Sequence, residues 1–560
     1  MGNLSQLKYF EELSIQPNFK IDSMKLMELA SAEKLRGGFY TPEPIAEFIL
    51  RWGVNGSSTF DILEPSCGDG VFLEQILRQQ SKYRSITAIE YDEIEAEKAN
   101  SIKLPNKKVI RTDFHVYCNE TIDKFDLVIG NPPYIRYQYF NENQQKEAAL
   151  IFKRAGLTYS KLTNAWVPFI VGSSLLLKDK GKIGFVVPAE LLQVSYAQQL
   201  RSFLAYTYNK INIVSFEKLV FPHIQQEVVL LLCEKDSSSE HKIEHLELRD
   251  AADLKKLDVN ILQSPKKEID LKKNKWTFYF LEQKEINFLE NVAERFKLPT
   301  IGKFADVEVG ITTGSNDFFT VNTALVEQFQ LQEFARPMVG RSVQISSVIF
   351  NEDDWLKNKD SKAKANLLVF PKGQEVKKHH GAMAYIETGE NKDIHKGYKC
   401  GIRDDWFVVP SLKISDALFL RRNNVFPKFV LNEAKSYTTD TMHRVFLKQN
   451  VNIKALIASY YNSVSLAFAE ICGRSYGGGV LELMPNEVEK IVLPFHENNA
   501  NLLIEIDDMF RNKSNIDDIL KITDKKMLSD NWGFSDEEIK LANGIWKKLS
   551  LRRINRGKNK

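Results

Sequence analysis

Through the first 235 or so positions, short runs rich in apolar residues stop at small or polar ones, and the segments between several of them carry apolar residues at helical spacing. Phe60 to Leu63, Ile86 to Ile89, Lys108 to Arg111, Phe125 to Gly130 and Lys182 to Val187 read as strands of a buried, mostly parallel sheet. Helices are expected from Val71 to about Leu77, from Leu162 to Leu177 and from Glu190 to Leu204, with a shorter one near 23–35. Ile45, Phe48, Ile49 and Trp52 mark another, with Thr41 placed as its N-cap and Pro42 as its first residue. Ile211 to Phe216 and Glu227 to Leu232 are strands joined by too short a connection for a crossover, so an antiparallel pair should end the sheet.

The polar residues that close these strands carry the chemistry. In an open α/β sheet, ligands bind at the C-terminal strand edge, and that is where Glu64, Glu90, Asp113 and Asn131 would fall. The loop Glu64-Pro65-Ser66-Cys67-Gly68-Asp69-Gly70 lets backbone approach a ligand closely, yet lacks G-x-G-x-x-G spacing, which argues for something other than a pyrophosphate. Glu90 follows the glycine loop by roughly the 20 residues typical of a ribose-binding acid. Asp113 is suited to accept from an adenine amino group while Phe114 packs the ring.

Asn131-Pro132-Pro133-Tyr134 is the stretch on which the rest converges. Two prolines stiffen it and leave its carbonyls outward, so the Asn131 side-chain oxygen and the Pro132 carbonyl form a rack for the two N–H groups of an exocyclic amine, with Tyr134 against the ring face. Phe221, before Pro222, should rise at the same sheet edge.

Composition narrows the class without deciding it. A chain of 560 residues should hold more than one domain, and a formal charge of +3 neither demands nor forbids a polyanionic partner. Cys67, Cys118, Cys233, Cys400 and Cys472 form no C-x-x-C pair, so neither a disulfide framework nor a cysteine zinc site is expected. No stretch reads as a signal peptide or membrane span, which leads to a cytoplasmic expectation with no membrane partner. His241, His245 and the pair His379-His380 read as surface positions, and no metal site is expected.

Beyond Lys235 to Glu240 the alternation fades, and from Trp276 glycine turns, arginines and aromatics on loops take over: Gly310 to Phe319, Arg336 to Arg341, Arg403 to Phe407, and a mobile-looking loop Gly473 to Gly479. The division expected is a catalytic domain 1–245, a lysine-rich linker 246–275, an irregular α+β domain 276–500 and a helical region 501–560 with a basic tail. That tail, with Lys540, Lys547, Lys548, Arg552, Arg553, Arg556, Lys558 and Lys560, reads as either solvated or phosphate-contacting.

The ordered set Tyr40-Thr41-Pro42, Glu64 to Gly70, Glu90, Asp113-Phe114, Asn131 to Tyr134 and Val220-Phe221-Pro222 resembles the γ-class N6-adenine DNA methyltransferases of restriction-modification systems, the TaqI methylase type. The resemblance implies a seven-stranded, mostly parallel class I methyltransferase sheet with helices on both faces, followed by an α+β target-recognition domain. It further implies S-adenosylmethionine held by Thr41, Glu64, Ser66, Cys67, Gly68, Glu90, Asp113, Phe114 and Pro133, with the family's usual alanine replaced by Ser66. Asn131 and Pro132 would hold the target amine, and Tyr134 and Phe221 would stack on an adenine flipped out of double-stranded DNA. A cognate restriction endonuclease would be the functional counterpart. Two alternatives stay open: a methyltransferase acting on RNA or on a protein glutamine amide, and a catalytically inactive DNA-binding specificity protein.

Overall fold

A computed structural model describes residues 40–55, 59–136, 139–221, 227–270, 275–448, 450–476 and 478–558, so the helix expected near 23–35 lies outside the described residues. The chain divides into two compact units at Tyr279/Phe280.

In the first unit the helix α1 (Glu43–Gly53) precedes alternating strands and helices: β1 (Phe60–Glu64), α2 (Val71–Gln79), β2 (Tyr83–Glu90), α3 (Glu93–Ser101), β3 (Lys107–Arg111), α4 (Phe114–Glu120) and β4 (Phe125–Gly130). There follow α5 (Glu142–Arg154), α6 (Trp166–Leu175), β5 (Leu177–Pro188), α7 (Gln198–Thr207), β6 (Lys210–Phe216), β7 (Val228–Glu234), β8 (Lys242–Leu248) and β9 (Lys267–Glu268). The sheet order is β3-β2-β1-β4-β5-β7-β6-β8-β9. From β3 to β5 all pairings are parallel, and β7 runs antiparallel to both β5 and β6. This is the class I methyltransferase arrangement, with helices on both faces.

Burial on both faces explains why the strands read as apolar runs. In β4, Leu127 and Ile129 join a core cluster with Ile45, Phe48, Ile49 and Trp52 of α1, while Val128, equally buried, points to the other side. Contact there is close: a Cβ on Gly184 of β5 would stand 2.7 Å from Ile49 Cγ2.

Several expectations need correction. The sheet has nine strands, not seven, and the reversed strand β7 lies inside it rather than at its end. Its insertion leaves β6 needing a second partner, which β8 supplies in parallel, with β9 antiparallel beyond. β8 was missed because Lys242, Glu244, His245 and Glu247 interrupt its apolar positions on both faces and only Ile243 is fully buried, so the segment looks polar. The expected linker 246–275 therefore belongs to the first unit, and Leu254 and Leu262 are buried in the α1 cluster. His241 Nδ1 lies 2.9 Å from the Tyr208 carbonyl and His245 Nε2 lies 2.8 Å from Ser215 Oγ, so both serve the sheet's hydrogen bonding. Among the described residues no group of His, Cys, Asp and Glu suits a metal ion. The α1 helix starts at Glu43 with Pro42 as an uncapped N-cap residue, so Thr41 is not the cap. The expected helix Glu190 to Leu204 is two 3-10 turns followed by α7.

The second unit, described by itself, is an α+β assembly of two four-stranded sheets, a three-stranded sheet and helices. The loop expected at Gly473 to Gly479 is largely a hairpin, in which Arg474–Tyr476 pairs antiparallel with Val480–Glu482. Much of the basic tail is folded: Asp536–Lys558 is a helix, Lys547, Lys548 and Arg553 pair with Asp517, Glu285 and Glu470 at 2.9, 2.7 and 2.6 Å, and Lys560 lies outside the described residues. Arg552 lies 3.5 Å over the Phe280 ring. Among the described residues no helix is long and apolar enough to cross a membrane.

The Arg553 guanidinium is buried, donating to both oxygens of Glu470 and to the carbonyls of Asn424, Val425 and Gly479. Removing one partner of such a pair strands the other in a dry interior. Arg553→Leu should destabilise the second unit by about 3–5 kcal/mol, seen as a lower unfolding midpoint of the full chain, and Arg553→Leu with Glu470→Leu should recover part of the loss. An unshifted midpoint in the single variant would contradict this account.

Candidate active site

The strand order reverses about β1: the chain moves outward to β3 and returns to place β4 on β1's other side. A crevice opens where such a reversal occurs, and here it is a cavity of roughly 600 Å³. Residues Ile62 and Leu63 of β1 pair with Leu127 and Val128 of β4, so Glu64 and Asn131 leave the sheet at neighbouring heights.

Glu64 is 2% exposed, and its Oε2 has no hydrogen-bond partner among the described residues. Burial, then the nearby carboxylates of Glu90 and Asp69, raise its pKa well above the usual carboxylate range. The glycine turn folds around it. Gly70 adopts φ +95°, and a Cβ there would stand 2.6 Å from Ile102 Cδ1; at Gly68, φ +52°, a Cβ would meet nothing within 4 Å, which leaves backbone open toward the cavity. Cys67 is buried and its thiol is pushed up by that burial, so it lines the wall as an unreactive neutral group.

Glu90 is held rigidly. Its Oε2 accepts from Gly68 N–H at 2.8 Å, and its Oε1 accepts from the N–H groups of Tyr91 and Asp92 at 2.8 and 2.9 Å. Burial raises its pKa and these hydrogen bonds oppose the rise. Asp113 behaves oppositely: burial pushes it up, but His115 and Gln144 outweigh burial and hold it at about 2. Its Oδ1 receives the His115 backbone N–H at 2.8 Å and lies 2.6 Å from His115 Nδ1, while Oδ2 accepts from Gln144 Nε2 at 2.9 Å. Phe114 stacks on Phe169 with centroids 4.9 Å apart, making an apolar slot beside these acids.

Thr41, Glu64, Ser66, Cys67, Gly68, Glu90, Asp113, Phe114 and Pro133 all line this one cavity, with Asn131 at its edge. Pro132, Tyr134 and Phe221 do not. Pro132 is buried, the Tyr134 hydroxyl donates to the Val186 carbonyl at 3.1 Å, and Tyr134 and Phe221 both rest in the α1 cluster.

The first unit matches the family model described as Eco57I restriction-modification methylase over residues 47–221. The second matches that of the type II methyltransferase M.Eco57I, C-terminal domain, over residues 273–528, a match that begins close to the division at Tyr279. The chain belongs to the type II restriction-modification methyltransferase family.

Similarity to curated members of this family varies in reach. Type II methyltransferase M.AccI of Acinetobacter calcoaceticus is 26% identical over 471 residues, which cover 81% of this chain and 84% of that protein. Type II methyltransferase M.HincII of Haemophilus influenzae is 32% identical over 186 residues, a third of each chain. Type II restriction enzyme and methyltransferase RM.Eco57I of Escherichia coli is 26% identical over 202 residues, covering 35% of this chain and 19% of that protein.

Sequence reasoning missed His115, Phe140, Gln144 and Phe169, which also line the cavity. His115 lies two residues after Asp113, at the start of α4, and that proximity was its only signal. Gln144 is 31 residues from its partner Asp113, and nothing local announces the contact.

The buried acid supplies a test with a definite sign. A carboxylate whose pKa is higher folded than unfolded contributes stability that is complete below the ordinary value and is lost as pH rises through the folded one. Glu64→Gln should therefore raise the melting temperature at about pH 8, with the gain vanishing toward about pH 4, while weakening any cationic ligand of the cavity. A melting temperature lowered at about pH 8 would contradict the assigned environment.

Proposed function

We propose that this family member transfers a methyl group from S-adenosylmethionine to N6 of an adenine flipped out of double-stranded DNA, protecting the DNA from a cognate restriction endonuclease. The observation that carries the reading is the meeting, at one strand-edge crevice, of an acid-floored cavity of nucleoside character with the Asn131-Pro132-Pro133-Tyr134 rack. The ordered motifs support the finer assignment to the γ class, the TaqI methylase type. Similarity to M.AccI extends through both units, which favours a duplex substrate over an RNA or a protein amide needing only the first. A cytoplasmic location, where host DNA lies, follows from the reading.

The cavity's donor set fits the cofactor. Glu64 is a buried acid with an unpartnered oxygen, suited to a cationic centre. Glu90, oriented by three backbone N–H groups, retains lone pairs for ribose hydroxyls. Asp113 Oδ2, with one donor already in place, can accept an adenine amine while the stacked Phe114 and Phe169 offer apolar surface beside the ring. When bound, S-adenosylmethionine supplies an electrophilic methyl group on a sulfonium.

The remaining work falls to the chain's own residues. Asn131 Oδ1 and the Pro132 carbonyl accept the two N6 protons of the target, which turns the nitrogen lone pair out of the ring and toward the cavity. Tyr134 and Phe221, which rest in the α1 cluster, would have to turn a ring face out to the extruded base to offset part of the few kcal/mol that unstacking it costs. Once alkylated the nitrogen is cationic and acidic, so its extra proton passes to water and no strong general base is required.

Transfer of labelled methyl groups to DNA from a methylation-free host tests the reading. Asn131→Ala should lower the rate by at least about 100-fold, because it removes half of the rack, while calorimetric binding of S-adenosylhomocysteine persists. Full activity in that variant would remove Asn131 from the chemistry, and no labelling by the native protein would overturn the substrate.

A further inference from the structure

One wall of the cavity is built from a single stretch of chain. Asn131, Pro133, Ile135, Phe140, Asn141 and Gln144 all line it, and they run from the end of β4 into the first turn of α5. The stretch is fastened to the opposite side of the cavity at both ends. At its start the Asn131 carbonyl accepts from Ser66 Oγ at 3.2 Å, and Ser66 lies in the glycine turn. At its finish Gln144 Nε2 donates to Asp113 Oδ2 at 2.9 Å. Gln144 is itself oriented, since its backbone N–H donates to the Asn141 side chain at 2.9 Å as that residue caps α5.

We infer that Ser66 and Gln144 are positioning residues that couple occupancy of the cofactor cavity to the placement of the target-amine rack. The inference rests on the methyltransferase reading above and deepens it. Both residues bond to the segment or to an acid that the cofactor would meet, so the two sites share one set of hydrogen bonds. Asp113 Oδ1 already takes two donors from His115, which leaves Oδ2 as the oxygen able to accept a further N–H, and it is Oδ2 that Gln144 holds. A nucleoside amine donating there would share Oδ2 with Gln144, so ligand, Asp113, Gln144 and α5 would meet at one oxygen, and a ligand that shields that oxygen from water leaves its hydrogen bonds electrostatically stronger. Ser66, which lines the same cavity, fixes the Asn131 carbonyl at the other end of the segment. Asn131 is thereby set in position by the same contacts that read the cofactor, and methyl donor and acceptor are organised together.

Hydrogen exchange of the full chain, with S-adenosylhomocysteine as the probe, tests the coupling. In the native protein the ligand should slow exchange about fivefold in peptides covering Asn131 to Arg136 and Tyr139 to Gln144, a factor on the scale of one hydrogen bond's net worth. In Gln144→Leu the slowing should be lost from the second peptide, and in Ser66→Ala from the first, with exchange elsewhere in the first unit unchanged. Gln144→Asn keeps the amide but draws it back by one methylene, and should behave like Gln144→Leu if the contact itself matters. In methyl transfer, Gln144→Leu should lower kcat by about two- to tenfold with a smaller change in KM for S-adenosylmethionine. Equal slowing in the native protein and the variants would overturn the inference alone. Absence of S-adenosylhomocysteine binding to the native protein would overturn the methyltransferase reading, and the inference with it.

Discussion

The parallel pairing of β1 with β4 is the constraint on which the rest depends. Because strand order reverses there, a crevice opens between the two strand ends, and the polar residues that terminate both strands line the same cavity. Glu64 comes from one strand and Asn131 from the other, while Glu90 and Asp113 arrive from β2 and β3 along the same edge. The apolar packing of α1 on Leu127, Ile129 and Gly184 matters to function because it holds that edge level.

The site is organised against its own stability. A carboxylate buried as Glu64 is, beside two other acids, disfavours the empty state, and among the described residues no cation offsets it. Asp113 is treated oppositely, satisfied by His115 and Gln144 before any ligand arrives. One acid is left wanting a positive charge and the other is kept ionised as a fixed acceptor. Two carboxylates along the same sheet edge thus differ in chemistry through their surroundings alone.

How much of this was legible in the sequence follows the range of the interactions. Strands buried on both faces announce themselves as apolar runs, so β1, β2, β4, β5, β6 and β7 were readable, and with them the residues at their ends. Of the nine cavity residues, all but Thr41 sit within a few positions of a strand terminus, and Thr41 lies just before α1. β8 was not readable, since its faces are only partly buried and Lys242, Glu244, His245 and Glu247 make it look like a polar loop. The pairing of Arg553 in the basic tail was hidden for a related reason: charge counts do not show that Glu470, 83 residues away, lies in the same unit. Gln144 escaped notice because its meaning lies wholly in a tertiary contact with Asp113.

The central claim is that this crevice methylates adenine in DNA, and single-molecule sequencing of DNA from a methylation-free host expressing the protein tests it most directly. The account predicts N6-methyladenine confined to one short recurring sequence. Unmodified DNA from cells containing folded protein that binds S-adenosylmethionine would contradict it.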